Sequence, residues 1–440
     1  MTARIHTLDA LEILDSRGRP TLQVTVRLDS GVTARAGVPS GASTGTREAV
    51  ERRDRDPQRY AGNGVQQAAA MVEHDIADAV RGMLVGDLEQ LSRIDAAMRS
   101  LDGTPTLARL GANAVVGVSM AATRAAAVEA GVPLWLFLSQ SAAASTATGD
   151  LAPPRWPPRM PVPHFNVVNG GVHAANKLDF QEFMIAPIGA PTYTEALHAG
   201  AKVYAALRRR LTNAGLSTGL GDEGGFAPAV TEPEAVLAML VGAIHDAGFH
   251  LGADGVAIAL DPAASEFYRG GSYQVGADSL TAAQLIDRYE TIVQHYPVWS
   301  IEDGLAESDF DGWVEMTARL GERVQIVGDD IFVTDPAAIS RGIELAAASA
   351  ALIKANQVGT VSETLEAIRR CREGGWSAMI SHRSGETVDD FIADLAVGSG
   401  CGQIKAGAPA RGERVAKYNR LLEIDARADL PYGRVNVARA

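Results

Sequence analysis

Six apolar runs in the second half of the chain each end on a residue that can do chemistry. "VAIALD" ends on Asp261, "VWSIE" on Glu302, and "QIVGDD" on Asp329 and Asp330; "AALIK" ends on Lys354, "SAMISHR" on His382 and Arg383, and "GQIK" on Lys405. Three carboxylates converging at one place repel one another unless a divalent cation joins them. The donors are all oxygen, with no His or Cys at those three ends, so a hard ion such as Mg²⁺ is favoured over zinc. Asp261, Glu302 and Asp329 therefore read as metal ligands, with Asp330 as a neighbour or a helix cap. Taken alone, any one of these Asp residues would read as a cap or a turn residue. Their recurrence at three run ends shifts the weight to metal.

The remaining ends are basic. Beside Mg²⁺ the ammonium form of Lys354 is disfavoured, which suits it to accept a proton. A base working near neutrality needs a pKa lowered from ~10.4 to roughly 7–8. Arg383 and Lys405 would supply the local positive charge that an anionic substrate needs. Two loops join this set. In "GLGDEGGFAP" (219–228) glycines crowd Asp222 and Glu223, as where backbone must approach a ligand closely, although a plain Gly-rich turn reads the same way. "PSGASTG" (39–45) has the composition of a loop that closes over a site and donates hydroxyl oxygens. His173 in "NGGVHAAN" lies in an exposed loop, whereas His6, His74, His245, His250 and His295 read as surface or packing residues. "GAPARGER" (407–414) has the glycine spacing of a phosphate-binding loop, but Glu413 and Arg414 stand where Lys and Ser/Thr are required.

The elements that must position these groups follow from the runs themselves. Near-continuous apolar strands are buried on both faces and belong to a parallel sheet. Their spacing leaves room each time for a helix and two loops. Functional residues at the C-terminal ends of six successive strands favour a (β/α) barrel over an open doubly wound sheet, where they would gather at one switch point. Residues 362–375 read as one of its helices, ending on two glycines. Earlier in the chain, strands at 21–28 and 33–38 and a buried Ala-rich helix over 107–130 suggest a small α+β domain. The Ala/Ser/Thr/Pro-rich stretch between them reads as a linker. The expected division is a domain at 1–138, a linker at 139–159 and a barrel at 160–440.

Composition bounds the function. The 440 residues are 46% hydrophobic and 21% charged, with a net charge of −13. That profile fits a globular protein with a large core and argues against nucleic acid or an anionic membrane as partner. Two cysteines, no signal-peptide pattern and no run able to span a bilayer point to the cytoplasm.

The motifs "DSRGRPT", "PSGASTG", "NGGVHAAN", "QEFMIAP", "GDEGGFAP", "SIEDGL", "VGDDIFVT", "LIKANQ", "SHRSGET" and "GQIKAG" occur in the order found in enolases. The resemblance runs from about residue 4 to about 425. It implies an N-terminal α+β domain and a C-terminal modified (β/α)8 barrel opening ββαα. It further implies two Mg²⁺ per active site and interconversion of 2-phosphoglycerate and phosphoenolpyruvate, a small anionic phosphorylated substrate. By motif, Asp261, Glu302 and Asp329 resemble the ligands of the first Mg²⁺, and Ser43 the group that meets the second. Lys354 resembles the base at C2 and Glu223 the acid at the C3 hydroxyl, with Glu182 beside it. His173, Glu182, His382, Arg383, Ser384 and Lys405 resemble substrate-binding positions. The resemblance also implies a homodimer or higher oligomer.

The chain departs from the family pattern at Arg19 and Ala406, usually Asn and Thr. It departs again at Val172 and Ala175, in a loop usually more polar, and at Gln23 and Glu423, near the dimer contact. Two rivals stay open: an enolase paralogue acting on a modified phosphoglycerate, of the carboxyphosphonoenolpyruvate synthase type, and a non-catalytic or moonlighting binding protein.

Overall fold

The computed structural model describes residues 3–41, 45–140, 156–174 and 176–433. The expected linker at 139–159 falls mostly outside them, as does Ser43.

The first part of the chain builds a four-stranded antiparallel sheet from β1 (Ala3–Leu14), β2 (Pro20–Leu28), β3 (Thr33–Gly37) and β4 (Leu84–Val85), ordered β3-β2-β1-β4. The long β1 was not foreseen, because its alternation is weak and half of it is solvent-facing. A helix at Ala112–Glu129 lies across β2 and β3 and is buried on nearly all sides. Its small residues allow that close approach: a Cβ on Gly117 would come within 2.6 Å of Val24 and 3.0 Å of Val38. The helix is shorter than the expected 107–130. Leu107 and Gly111 both have positive φ, so the chain turns before the helix begins.

The second part closes an eight-stranded barrel. Its strands are β5 (Val162–Asn169), β6 (Glu182–Ala186), β7 (Ala257–Asp261), β11 (Val298–Glu302), β12 (Gln325–Gly328), β13 (Ala350–Ile353), β14 (Ser377–Ser381) and β15 (Gln403–Lys405). The intervening β8 (Tyr268–Arg269), β9 (Ser272–Val275) and β10 (Asp278–Leu280) form a small separate sheet. Helices at Tyr193–Asn213 and Pro233–Asp246 follow β6, so the barrel opens ββαα. β6 pairs antiparallel with both β5 and β7, and the other barrel pairs are parallel. Reversal of β6 has a direct consequence: its first residue, Glu182, stands in register with Asp261, the last of β7. The helix expected at 362–375 is Val361–Glu373, with Thr360 accepting from the N–H of Glu363 at its start and Gly374 and Gly375 at its end.

The two parts meet where the helix Leu88–Asp102 touches Val361–Glu373. Asp95 is buried there and accepts from the Ser362 N–H at 3.1 Å and its Oγ at 2.7 Å. Burial pushes its carboxyl up to about 6, against the opposing hydrogen bonds of Ser362 and Ser119. The native state thus keeps a proton that the unfolded chain releases near pH 4. Stability contributed by that proton is present below pH 4 and is lost as pH rises through 6, by about 3 kcal/mol in all. Asp95→Asn should therefore gain on the wild type in thermal midpoint between pH 4 and 6.5, with a constant gap above. Parallel midpoint curves would contradict this.

Candidate active site

At the C-terminal mouth of the barrel, β7 delivers Asp261, β11 Glu302 and β15 Lys405, while the reversed β6 brings Glu182 to the same end. All four are buried. The Lys405 ammonium lies 2.8 Å from Asp261 Oδ2, 2.8 Å from Glu302 Oε1 and 3.1 Å from Glu182 Oε2. Burial alone would lower Lys405, but Asp261, Glu182 and Glu302 together hold it well above the usual lysine range. One ammonium cannot neutralise three carboxylates. Burial, with Asp261 adding, raises Glu302 well above the usual carboxylate range, and burial with Glu223 does the same to Glu182.

Asp329 follows β12 directly. Its Oδ1 accepts from Gln357 Nε2 at 2.9 Å, and its Oδ2 pairs with the Lys354 ammonium. The adjacent carboxylates of the "GDD" turn are managed by a third. Asp303, at φ 41°, accepts the N–H groups of Asp329 at 2.8 Å and Asp330 at 3.0 Å. Burial and then Asp329 push Asp330 up to about 8. Lys354 is governed by the same carboxylate. Burial would lower it, but Asp329 prevails and raises it above the ordinary lysine value. Lys354 is thus the paired ammonium partner of Asp329.

The carboxylates expected to hold metal are drawn apart in the same way. Among the described residues, ligand-type atoms lie mutually within 4.8 Å in two groups, His173–Glu182–Glu223 and Asp303–Asp329–Asp330, and the set Asp261–Glu302–Asp329 is not among them. Asp261 and Glu302 converge on Lys405, whereas Asp329 is engaged by Lys354. The donor set nevertheless fits a hard dication. It is all oxygen, it carries more negative charge than the two lysines balance, and among the described residues Glu302 Oε2 is buried without a hydrogen-bond partner.

Glu223 faces this cluster from the Gly-rich loop. Its Oε2 accepts from Asn166 Nδ2 at 2.9 Å and lies 3.2 Å from His382 Nε2. Its Oε1 is 3.6 Å from His173 Nδ1, which is 3.5 Å from Glu182 Oε1. Burial lowers both imidazoles, His382 to about 4, although Glu223 opposes the shift in each. His173 is buried rather than exposed, and the loop shows its surface through Val172, which is 50% exposed. The glycines around Glu223 allow close approach to neighbouring protein atoms. A Cβ on Gly221 would meet Asn169 and His173 O at 2.7 Å, and one on Gly225 would meet Asn169 Oδ1 at 2.6 Å and Val168 N at 3.0 Å.

Arg383 extends the site to the N-terminal part of the chain. Its NH1 lies 3.0 Å from Glu48 Oε2 and 2.8 Å from Asn356 Oδ1, and its NH2 lies 3.2 Å from Glu48 Oε1. Gln357 Nε2 also donates to Glu48 Oε1, at 3.1 Å. Ser384 lines the same cavity as His173, Glu182, Glu223, Asp261, Asp329, Lys354, His382, Arg383 and Lys405. Ten residues named from sequence therefore surround one space, with Glu302 joined to them through Lys405.

A profile described as the enolase C-terminal TIM barrel domain matches residues 158–430, and one described as the enolase N-terminal domain matches residues 5–138. The chain belongs to the enolase family. It is 52% identical over 427 residues to an enolase of Acidothermus cellulolyticus, covering 97% of this chain and 95% of that protein. An enolase of Rubrobacter xylanophilus is 52% identical over 416 residues, covering 94% and 93%. One of Legionella pneumophila is 48% identical over 437 residues, covering 99% of each.

Against the enolase pattern, the departures among the described residues do not line the cavity. Arg19 is exposed, Ala406 is fully buried behind Lys405, and Glu423 pairs with Arg420 at 3.0 Å on the surface. Ala175 lies outside the described residues. Sequence reasoning missed Glu48, Asn166, Asp303, Gln357 and Arg414. Asp303 and Gln357 stand within the quoted motifs "SIEDGL" and "LIKANQ", so proximity to Glu302 and Lys354 was a usable signal. Glu48 and Asn166 carry none, because each reaches the site from a different element.

Proposed function

We propose that this enolase-family chain is a phosphopyruvate hydratase, dehydrating 2-phosphoglycerate reversibly to phosphoenolpyruvate with Mg²⁺, in the cytoplasm, as a step of glycolysis and gluconeogenesis. The observation that carries the reading is that Lys354 and Glu223 line one buried cavity from different elements, with a surplus of carboxylate between them. Abstraction at C2 and loss of hydroxide at C3 need a base and an acid at separate positions. In this reading Lys354 accepts the C2 proton and Glu223 gives a proton to the departing C3 hydroxyl, so water leaves and the C2–C3 double bond forms. Asp261, Glu302 and Asp329 would hold the first Mg²⁺, and Ser43 would meet the second. Bound there, the ions supply positive charge to the substrate carboxylate, where negative charge grows as the C2 proton departs. Arg383 and Ser384 would hold the phosphate, while His173, Glu182, His382 and Lys405 shape and neutralise the rest of the pocket.

Lys354 must release Asp329 before it can act as a base. The same event frees Asp329 for metal, so metal binding and activation of the base are coupled in this reading. Among the described residues no helix is long and apolar enough to cross a membrane. Assembly as a homodimer or higher oligomer is part of the proposal, and sedimentation at micromolar concentration tests it. The exposed pair at Glu423 does not bear on it, since such pairs contribute only ~0–1 kcal/mol.

One feature favours the rival substrate. Val172, half-exposed and next to His173 in the chain, stands in a loop that is more polar in the family pattern, and an apolar surface there would suit a modified phosphoglycerate. Turnover of 2-phosphoglycerate by purified, Mg²⁺-loaded protein decides between them. The expected rate is ordinary for enzymes, ~1–10³ s⁻¹. A rate thousands of times lower would transfer the reading to the specialised paralogue, and none at all to a binding protein.

A further inference from the structure

Arg414 was set aside in the sequence because it spoils a phosphate-loop pattern, yet its guanidinium is fully buried behind the acid side of the site. It projects from the helix Gly412–Asp425 into the junction of two site loops. NH1 donates to Arg383 O at 2.6 Å and faces His382 Nδ1; NH2 donates to Ser384 O at 2.6 Å and to Asp222 O at 3.1 Å. Gly407, at φ +85°, leaves the space: a Cβ there would meet Arg414 Cδ at 2.7 Å and Glu223 O at 2.8 Å. One planar fork thus ties together the loop that carries His382 and the loop that carries Glu223. A lysine, with a single nitrogen, could not reach all four acceptors at once.

A guanidinium offers only N–H donors. The ring nitrogen that faces it must present a lone pair, so His382 Nδ1 is bare and the proton sits on Nε2. Nε2 is the atom that faces Glu223 Oε2, 3.2 Å away, and that oxygen accepts from Asn166 Nδ2. Other charges around the ring are Glu386, which Lys417 neutralises at 2.8 Å, and Glu413, 3.4 Å from Arg414 Nε. Neither places a donor on Nδ1. We propose that Arg414 is a positioning residue that locks His382 as the neutral Nε2–H tautomer, so that a ring N–H rather than a lone pair faces Glu223 Oε2. The link to catalysis rests on the reading of Glu223 as the acid; the tautomer itself does not.

The test uses full-length protein labelled with ¹⁵N-histidine, in long-range ¹H–¹⁵N correlation spectra at pH 7, with His382 assigned by the signal lost in His382→Gln. The wild type should show a protonated Nε2 and a bare Nδ1 at His382. Arg414→Lys should keep that pattern, and Arg414→Met should show exchange between tautomers. An Nδ1–H tautomer in the wild type overturns the proposal, even if Arg414→Met fails to fold, and so does an unchanged Nε2–H tautomer in a folded Arg414→Met. In activity, Arg414→Met should lose at least tenfold more in dehydration than in solvent exchange of the C2 proton, with partial recovery in Arg414→Lys. Equal losses in both reactions would reduce Arg414 to a structural role. If wild-type protein does not dehydrate 2-phosphoglycerate while the tautomer still depends on Arg414, the functional reading fails and the positioning role stands.

Discussion

Lys354→Ala should abolish exchange of the substrate's C2 proton with solvent, while Glu223→Gln should keep measurable exchange and lose overall dehydration. Each loss should be on the order of 10²–10⁴-fold, the usual contribution of a positioned acid or base. The asymmetry follows from order: the C2 proton leaves before the C3 hydroxyl, so the acid is not needed for the first event. Lys354→Ala also strips Asp329 of its buried partner, so metal affinity must be measured in the same variant to separate a lost base from a disturbed ligand. Proton exchange that survives in Lys354→Ala and disappears in Glu223→Gln would reverse the two roles.

Removing Mg²⁺ with a chelator should eliminate activity, and adding it back should restore it. Asp261→Asn, Glu302→Gln and Asp329→Asn should each weaken metal binding by at least the ~10–100-fold that changes to outer-shell partners cost. Lys405 and Lys354 add a discriminating feature. These ammonium groups pair with the same carboxylates that would hold the metal, so protons and metal compete for one set of oxygens. The carboxylates of Glu302 and Glu182, raised by burial, must also lose any proton they carry. Metal affinity should therefore fall as pH drops, read by titration calorimetry at two or three pH values. Full activity in metal-stripped protein, or three substitutions without effect on affinity, would remove the site assignment.

The barrel was legible because its strands advertise themselves twice. Burial on both faces makes β7, β11, β12, β13, β14 and β15 continuous apolar runs, and the candidate site residues gather at their C-terminal ends. The helices were legible where capping was local, as with Thr360 and the Gly374–Gly375 pair. β1 was not, since a half-exposed strand in a small sheet has no such mark. Direction of β6 was also hidden, because a buried strand reads the same whichever way it runs. Only the pairing of Glu182 with Asp261 shows that a residue at the start of a strand belongs with residues at the ends of others.

What the amino-acid sequence determined on its own was the set of groups. Asp261, Glu302, Asp329, Lys354, His382, Arg383 and Lys405 follow from run and terminus, and the ordered motifs pointed to the enolase family that the comparisons bear out. What only the tertiary structure decided is which of them touch. Lys405 closes on Asp261 and Glu302, Lys354 on Asp329, and Glu48 on Arg383, while Arg414 sits behind His382. The physical reason is that a charge buried in low dielectric takes whichever opposite charge lies nearest in space. That distance is set by barrel closure and by the docking of the N-terminal part, and neither leaves a trace in local composition.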